Sequence, residues 1–219
     1  ATVTNDPSDW NPPGQLPGIG GWATITGVSG TYTKHPVYED GGTDWVAYEF
    51  TDDGTLTTSG GLVDILMLGG AAANGSDRAN SGGLHHGLSV LPDGSSPVVV
   101  GVAGTAGTGN ASGGKSVIGP YVAHGSGLAF SAANCVGVHG DKYAGSDPWG
   151  GPHLKGIDID FLGTGVLPYG YALTTDRRAN SGSSWDNAGG AAGVVIVRVP
   201  KAYATATREN PHSWLNFAT

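Results

Sequence analysis

A chain of 219 residues with eighteen acidic against ten basic side chains carries a formal charge of −8 at pH 7, which disfavours a sequence-independent grip on nucleic-acid phosphates or insertion beside anionic lipid. Forty glycines, 13% charged residues and a single cysteine, Cys135, exclude an internal disulfide, and the glycines keep no three-residue period, so a collagen helix is excluded too. Six tryptophans, eight tyrosines and many β-branched residues point to a folded β protein, and no apolar run approaches the ~20 residues that span a bilayer.

Residues 1–21 are rich in proline and glycine (N-P-P-G-Q-L-P-G-I-G-G). Proline removes donors and fixes φ, so an extended N-terminal arm without regular structure is expected. A disordered tail is the alternative, against which Trp10, Leu16 and Ile19 give this arm apolar points with which to dock, either on this fold or on a neighbouring protein. Residues 22–32 alternate as a strand broken at Gly27. Asp40-Gly41-Gly42 marks a turn, and W-V-A-Y-E-F (45–50) is a strand with Val46, Tyr48 and Phe50 on one face. Asp52-Asp53-Gly54 reads as a turn, with Thr55-Leu56-Thr57 as a hairpin partner.

The stretch around which the chain is organised is L-V-D-I-L-M-L-G-G-A-A-A-N (62–74). Its apolar run, interrupted by Asp64 alone, reads as a buried strand, and the small residues after it let other backbones approach closely. Residues 88–91 start another strand, Pro92-Asp93-Gly94 is a turn, and 98–102 is a strong strand. Val117-Ile118 and Tyr121-Val122-Ala123 are short strands. From 124 to 187 the chain is a long loop region, relieved by I-D-I-D-F (157–161) and Y-G-Y-A-L (169–173) as strands. A-G-G-A-A-G-V-V-I-V-R-V-P (188–200) inverts the order of the organising stretch, small residues first and the strand after. Residues 201–208 are the one stretch with helical character, within a C-terminal tail, 201–219.

Phe50-Thr51-Asp52-Asp53-Gly54-Thr55-Leu56-Thr57, the strand and small-residue tract of 62–74, S-P-V-V-V-G-V-A-G (96–104), G-G-K-S-V-I-G (113–119) and the closing 188–200 strand together resemble the glycine-rich domain of bacteriophage tail fibre and minor tail proteins. The likeness covers residues 45–119 and 188–200. It implies an all-β, glycine-rich β-sandwich, jelly-roll-like, over 22–200, with long irregular loops and little or no helix. It also implies a structural virion protein, made in the host cytoplasm and carried on the phage particle. The absence of a basic and apolar leader agrees with that route. The function expected is a minor tail or tail fibre component in host attachment. A capsid decoration subunit is the alternative, and a glycan-degrading tail enzyme a third.

Patterns that would carry chemistry fail on context. His85-His86 point to opposite faces of a strand and lack a third ligand. Asp158 and Asp160 share a face, but with Asp141 or Asp147 they lack the spacing of a calcium loop. There is no Gly-x-Ser-x-Gly elbow, and neither 104–109 nor Gly113-Gly114-Lys115-Ser116 leads into the helix a phosphate loop needs. No catalytic, cofactor-binding or metal-ligating residue is assigned, and no enzyme activity is expected.

Recognition falls instead on aromatic rings set among glycine, aspartate and asparagine, where an apolar platform adjoins hydrogen-bonding groups. Tyr143, Trp149, His153, Tyr169, Tyr171, Trp185 and Trp214 are such rings. The pentamer Arg78-Ala79-Asn80-Ser81-Gly82 recurs as Arg178-Ala179-Asn180-Ser181-Gly182, which suggests two loops at one end of the fold. The residues selected are Tyr143, Trp149 and Trp185 as stacking groups with Arg78 and Arg178 as polar contacts, facing a host surface glycan or protein; capping of the sheets by the aromatic rings, or their packing against neighbouring subunits, is the competing role. Glycine and alanine tracts bury little apolar area at about 25 cal/mol per Å², so a homo-oligomer, a trimer, is expected, with other virion proteins held through the N-terminal arm.

Overall fold

One strand of 26 residues, β3 (Thr43–Leu68), runs through both segments that the sequence separates by turns. The computed structural model describes residues 21–72, 81–105, 113–125, 144–146, 152–154, 157–170, 180, 184–185 and 189–204. Around β3 lie β1 (Ile25–Lys34), β2 (Tyr38–Asp40), β4 (Leu84–Val99), β5 (Ser116–Ile118), β6 (Tyr121–Ala123) and β13 (Val194–Pro200). Three small hairpins intervene in the chain: β7 (Ala144–Ser146) with β8 (Pro152–Leu154), β9 (Ile157–Ile159) with β10 (Leu167–Tyr169), and β11 (Ser184–Trp185) with β12 (Gly189–Gly190). The protein is all-β as expected; its only helical element among the described residues is a 3-10 turn, Lys201–Tyr203.

The two expected hairpin turns are corners. At the first, β1 and β3 cross in backbone contact: a Cβ on Gly30 would stand 2.6 Å from the Gly54 Cα. Asp53 supports the bend by accepting the Val100 N–H at 2.9 Å. Residues 55–57 therefore do not fold back on 45–50; they continue β3 and pair with β1 and β4. At the second corner Gly60 and Gly61 take φ of 75° and 127° opposite Gly94 at 98°, and the register passes from Ser59↔Asp93 to Gly61↔Leu91. Pro92-Asp93-Gly94 looks like a local turn, but its partner strand bends with it, so β4 runs on.

Because β1 and β4 remain paired with β3 through its bends, seven strands join in one continuous sheet among the described residues. β13 lies between two limbs of β3, with Val197 opposite both Tyr48 and Ile65. One face of these limbs, with Tyr48, Phe50, Ile65, Met67, Val195 and Val197, packs on Ile25, Leu56, Leu91, Val98 and Ile118. The other face, with Ala47, Leu66, Leu68, Val194 and Ile196, packs under Phe161, Leu162 and Tyr169 from the β9–β10 hairpin. Limb 62–68 is thus covered on both faces, which is why its sequence is an apolar run broken by Asp64 alone rather than an alternation. The strand expected over 98–102 ends at Val99.

Beyond that point the chain forms a mesh of glycine-rich segments at one end of the sheet. Residues 69–72 are buried at its centre. Gly70 donates to the Gly114 carbonyl at 2.8 Å, Ala71 to Ala191 at 2.9 Å, Gly69 to Gly83 at 3.0 Å, and Gly104 donates to Ala71 at 2.9 Å. Gly193 donates to Gly101 at 2.7 Å and Gly83 to His124, also at 2.7 Å. A Cβ added to Gly70 would overlap the Val102 carbonyl, one on Gly113 the Gly70 carbonyl, and one on Gly82 the Gly69 carbonyl. Close approach of backbones, rather than left-handed φ, is what demands glycine here. These close backbone contacts are made within a single chain.

Candidate functional site

Of the residues selected from sequence, Arg78, Tyr143, Trp149 and Arg178 lie outside the described residues, as do Tyr171 and Trp214. Trp185 is described in its backbone alone, where it pairs with Gly189. The points at which their segments are tied down are nevertheless defined. Segment 73–80 runs between Ala72 and Ser81, both buried in the mesh. Segment 171–179 leaves Gly170, whose Cβ would meet Leu68 Cδ2 at 2.8 Å, and ends at Asn180. Asn180 adopts φ of 55°, and its Nδ2 donates to the carbonyls of Thr51 at 3.2 Å and Gly193 at 3.1 Å.

A Cβ on Gly193 would stand 3.0 Å from the Gly69 carbonyl carbon, and Gly82 packs on the same residue. Gly82 of the first Arg-Ala-Asn-Ser-Gly repeat and Asn180 of the second are therefore tethered around one glycine. β11–β12 belongs to this end as well, since Gly190 lies against Ala71. Segments 106–112 and 126–143 also leave the mesh, at Thr105 and Gly125.

Tyr169, expected among the exposed rings, is 1% exposed and belongs to the core over Leu66 and Leu68. Gly170 beside it permits the tight packing that buries the ring. Asp158 is exposed on β9, whereas both Asp160 oxygens accept amide hydrogens, from Thr164 at 3.1 Å and Gly165 at 3.2 Å. That carboxylate shapes the β9–β10 loop. His85 and His86 do face opposite ways. His85 stacks on Tyr121 with centroids 4.9 Å apart, and His86 meets Phe161 edge-on at 5.6 Å.

The densest polar constellation, not singled out from sequence, centres on Arg198 of β13. Its Nε donates to Asp64 Oδ2 at 2.8 Å; its Nη1 donates to Asp40 Oδ2 at 2.8 Å and to the Tyr38 hydroxyl at 3.1 Å. The guanidinium lies over Trp45 at 4.4 Å and Phe161 at 4.2 Å, and the Tyr38 hydroxyl donates to the Phe161 carbonyl. Burial pushes the Tyr38 phenol up, against the pull of Arg198. Burial alone would lower Arg198, but its hydrogen bond to Tyr38 and the Asp64 charge hold it above its ordinary value. The signal in the sequence was one charge in each of two apolar strands, Asp64 and Arg198, which the ladder sets opposite each other. Every acid here is engaged with the guanidinium, which suits a clasp between sheet and hairpin rather than proton transfer.

His85 Nε2 lies 2.9 Å from Ser89 Oγ, a distance a nucleophile–base pair would have. Both residues are buried, at 1% and 3% exposed, and the Ser89 hydroxyl also reaches the Gly87 carbonyl at 3.2 Å, so the pair lies within the fold rather than at an open surface. An open groove of 390 Å³ lies between Lys34, His35, Pro36, Val37, Val46, Lys201 and Ala204. His35 Nε2 is 2.9 Å from Glu49 Oε2, and Lys201 Nζ is 3.6 Å from Asp44. No group of three His, Cys, Asp or Glu among the described residues is placed to hold a metal ion, and no helix among them is long and apolar enough to cross a membrane.

Comparison with protein-family models, with curated proteins and with solved structures returns no match.

Proposed function

We propose that this chain is a structural virion protein of a tailed bacteriophage, a minor tail or tail fibre component that acts in host attachment. The observation that carries the reading is the glycine mesh. Within the stretches that resemble the phage glycine-rich domain, the described residues 62–72, 96–104, 113–119 and 189–200 meet in it or feed it, joined there by 81–83 and 124–125. The segments bearing Arg78, Arg178 and Trp185 are tied to that same end, an arrangement in which a rigid scaffold presents variable loops. Self-association belongs to this reading. Leu88 and Val90, 53% and 40% exposed on β4, give neighbouring copies an apolar strip to cover, and limb 84–90 pairs with β3 alone among the described residues. Mass spectrometry and antibody labelling of purified particles test the assignment: the protein is expected on the particle, and the antibody is expected to slow adsorption. Absence from the particle overturns the reading. Presence with unaltered adsorption leaves a scaffold and removes the attachment role.

A further inference from the structure

The two ends of the sheet are unlike. Limb 62–68, β13 and limb 84–90 run side by side, with Leu68, Val194 and Leu84 at the mesh and Leu62, Pro200 and Val90 at the other end, about 20 Å away at the rise of an extended strand. The chain enters at that far end: Leu62 N–H donates to the Gly21 carbonyl at 3.1 Å, and Ala23 N–H to the Leu62 carbonyl at 2.8 Å. It leaves there too, since Pro200 pairs with Trp45 and the 3-10 turn follows at once. Trp22 and Trp45 meet edge to face at 5.3 Å beside the entry. Ala204, where the described chain stops, lines the 390 Å³ groove with Pro36, Val37 and Val46. Segments 73–80, 106–112, 171–179 and 186–188, by contrast, each begin and finish at the mesh end.

We infer that the molecule is polar, and that the end carrying Gly21, Ala204 and the groove is the face docked on another structural protein of the particle, with the mesh end turned outward. The inference rests on the virion reading above. Two flanking segments, 1–20 and 205–219, leave this one end, so a partner engaged by either is brought against the groove. Pro36, Val37, Val46 and Ala204 give the groove an apolar lining, and its three basic residues are already engaged, Lys34 over the Tyr48 ring at 5.5 Å, His35 by Glu49 and Lys201 by Asp44. Such a surface suits a polypeptide with apolar side chains better than a phosphate or an acidic glycan.

Cysteine labelling separates the two ends. In a Cys135→Ser background, Val37→Cys and Lys201→Cys report on the groove end, and Val102→Cys and Lys115→Cys on the mesh end; two probes per end guard against one variant failing to fold. All four sites are exposed in the chain, so a maleimide dye is expected to label all four in the purified protein. On intact particles, labelling at 37 and 201 is expected to be lost and labelling at 102 and 115 retained. Retention at 37 and 201, or loss at 102 and 115, with the protein shown on the particle by mass spectrometry, overturns the polarity while leaving the virion reading intact. Protection of 37 and 201 already in the purified protein assigns the groove to a second copy and overturns it as well. A particle without the protein removes both.

Discussion

Replacing Arg198 by methionine tests whether the buried clasp is as consequential as its geometry indicates. The guanidinium is 8% exposed and Asp64 7%, so removing one leaves the other in a site with little water. At an effective dielectric of ~20, a charge pair ~4 Å apart is worth about 4 kcal/mol, and breaking buried pairs from one side costs about 3–5 kcal/mol. That is a large part of the ~5–15 kcal/mol that holds a domain together. Asp40 adds little to the loss, because its side chain is 49% exposed and regains water. In urea unfolding followed by tryptophan fluorescence, Arg198→Met is expected to lower stability by about 3–5 kcal/mol. Joining it to Asp64→Leu removes both charges and is expected to return most of that loss, since apolar replacements of buried pairs are often neutral or stabilising by ~1–4 kcal/mol. A loss below ~1 kcal/mol for Arg198→Met, the range of a solvated pair, or a double variant no better than the single, refutes the reasoning.

Three further outcomes follow from the same structure. The Tyr38 phenol is raised in the fold by burial, so its contribution is intact below the unfolded value of about 10 and is lost as pH climbs from there through the folded value; alkaline unfolding curves of the parent are expected to fall in that window, and Tyr38→Phe to flatten them. Gly70→Ala drives a Cβ into the Val102 carbonyl and is expected to cost about 3 kcal/mol or more, whereas Gly27→Ala, whose Cβ meets Thr57 Cβ at an ordinary 3.4 Å, is expected to stay within ~1 kcal/mol; equal melting temperatures for the pair would show that the mesh tolerates side chains. Light scattering is expected to give an oligomer, a trimer on the sequence argument, and Leu88→Lys with Val90→Lys to dissociate it; a parent that is monomeric at high concentration ends that expectation.

The apolar limbs were legible because burial on one or two faces writes itself into local sequence: W-V-A-Y-E-F alternates, and L-V-D-I-L-M-L does not. The corners were not legible. Asp52-Asp53-Gly54 and Pro92-Asp93-Gly94 carry the residues of a reversing turn, and whether the chain reverses or bends depends on a partner strand far away in sequence. The pairing of Asp64 with Arg198 is a matter of register across 134 residues, which no local pattern contains. Tyr169 was misjudged for a related reason: its glycine neighbours suggest a loop, yet Gly170 is what lets the ring pack close to Leu68. The recognition residues remain an expectation from composition and from the echoed pentamer, of which Ser81, Gly82 and Asn180 alone are described, and these share an anchor in Gly69 and Gly193.

That anchor bears on how a chain so poor in charge and bulk can hold variable loops. In an apolar core, each side chain must fit its neighbours, so loop exchange risks repacking. In the mesh the contacts are backbone carbonyls and amides, each bond worth ~0.5–1.5 kcal/mol net, and the demand on sequence is the absence of Cβ at positions such as Gly70, Gly82 and Gly113. Residues between mesh positions are therefore free of that demand. The cost is borne by glycine, which loses more freedom on ordering than any other residue, and it is met by the two-sided burial of limb 62–68 and β13 directly behind the mesh. The strands thus supply the apolar stability, and the glycines the close backbone contacts that gather 69–72, 81–83, 101–104, 113–114 and 190–193 at one end of the sheet.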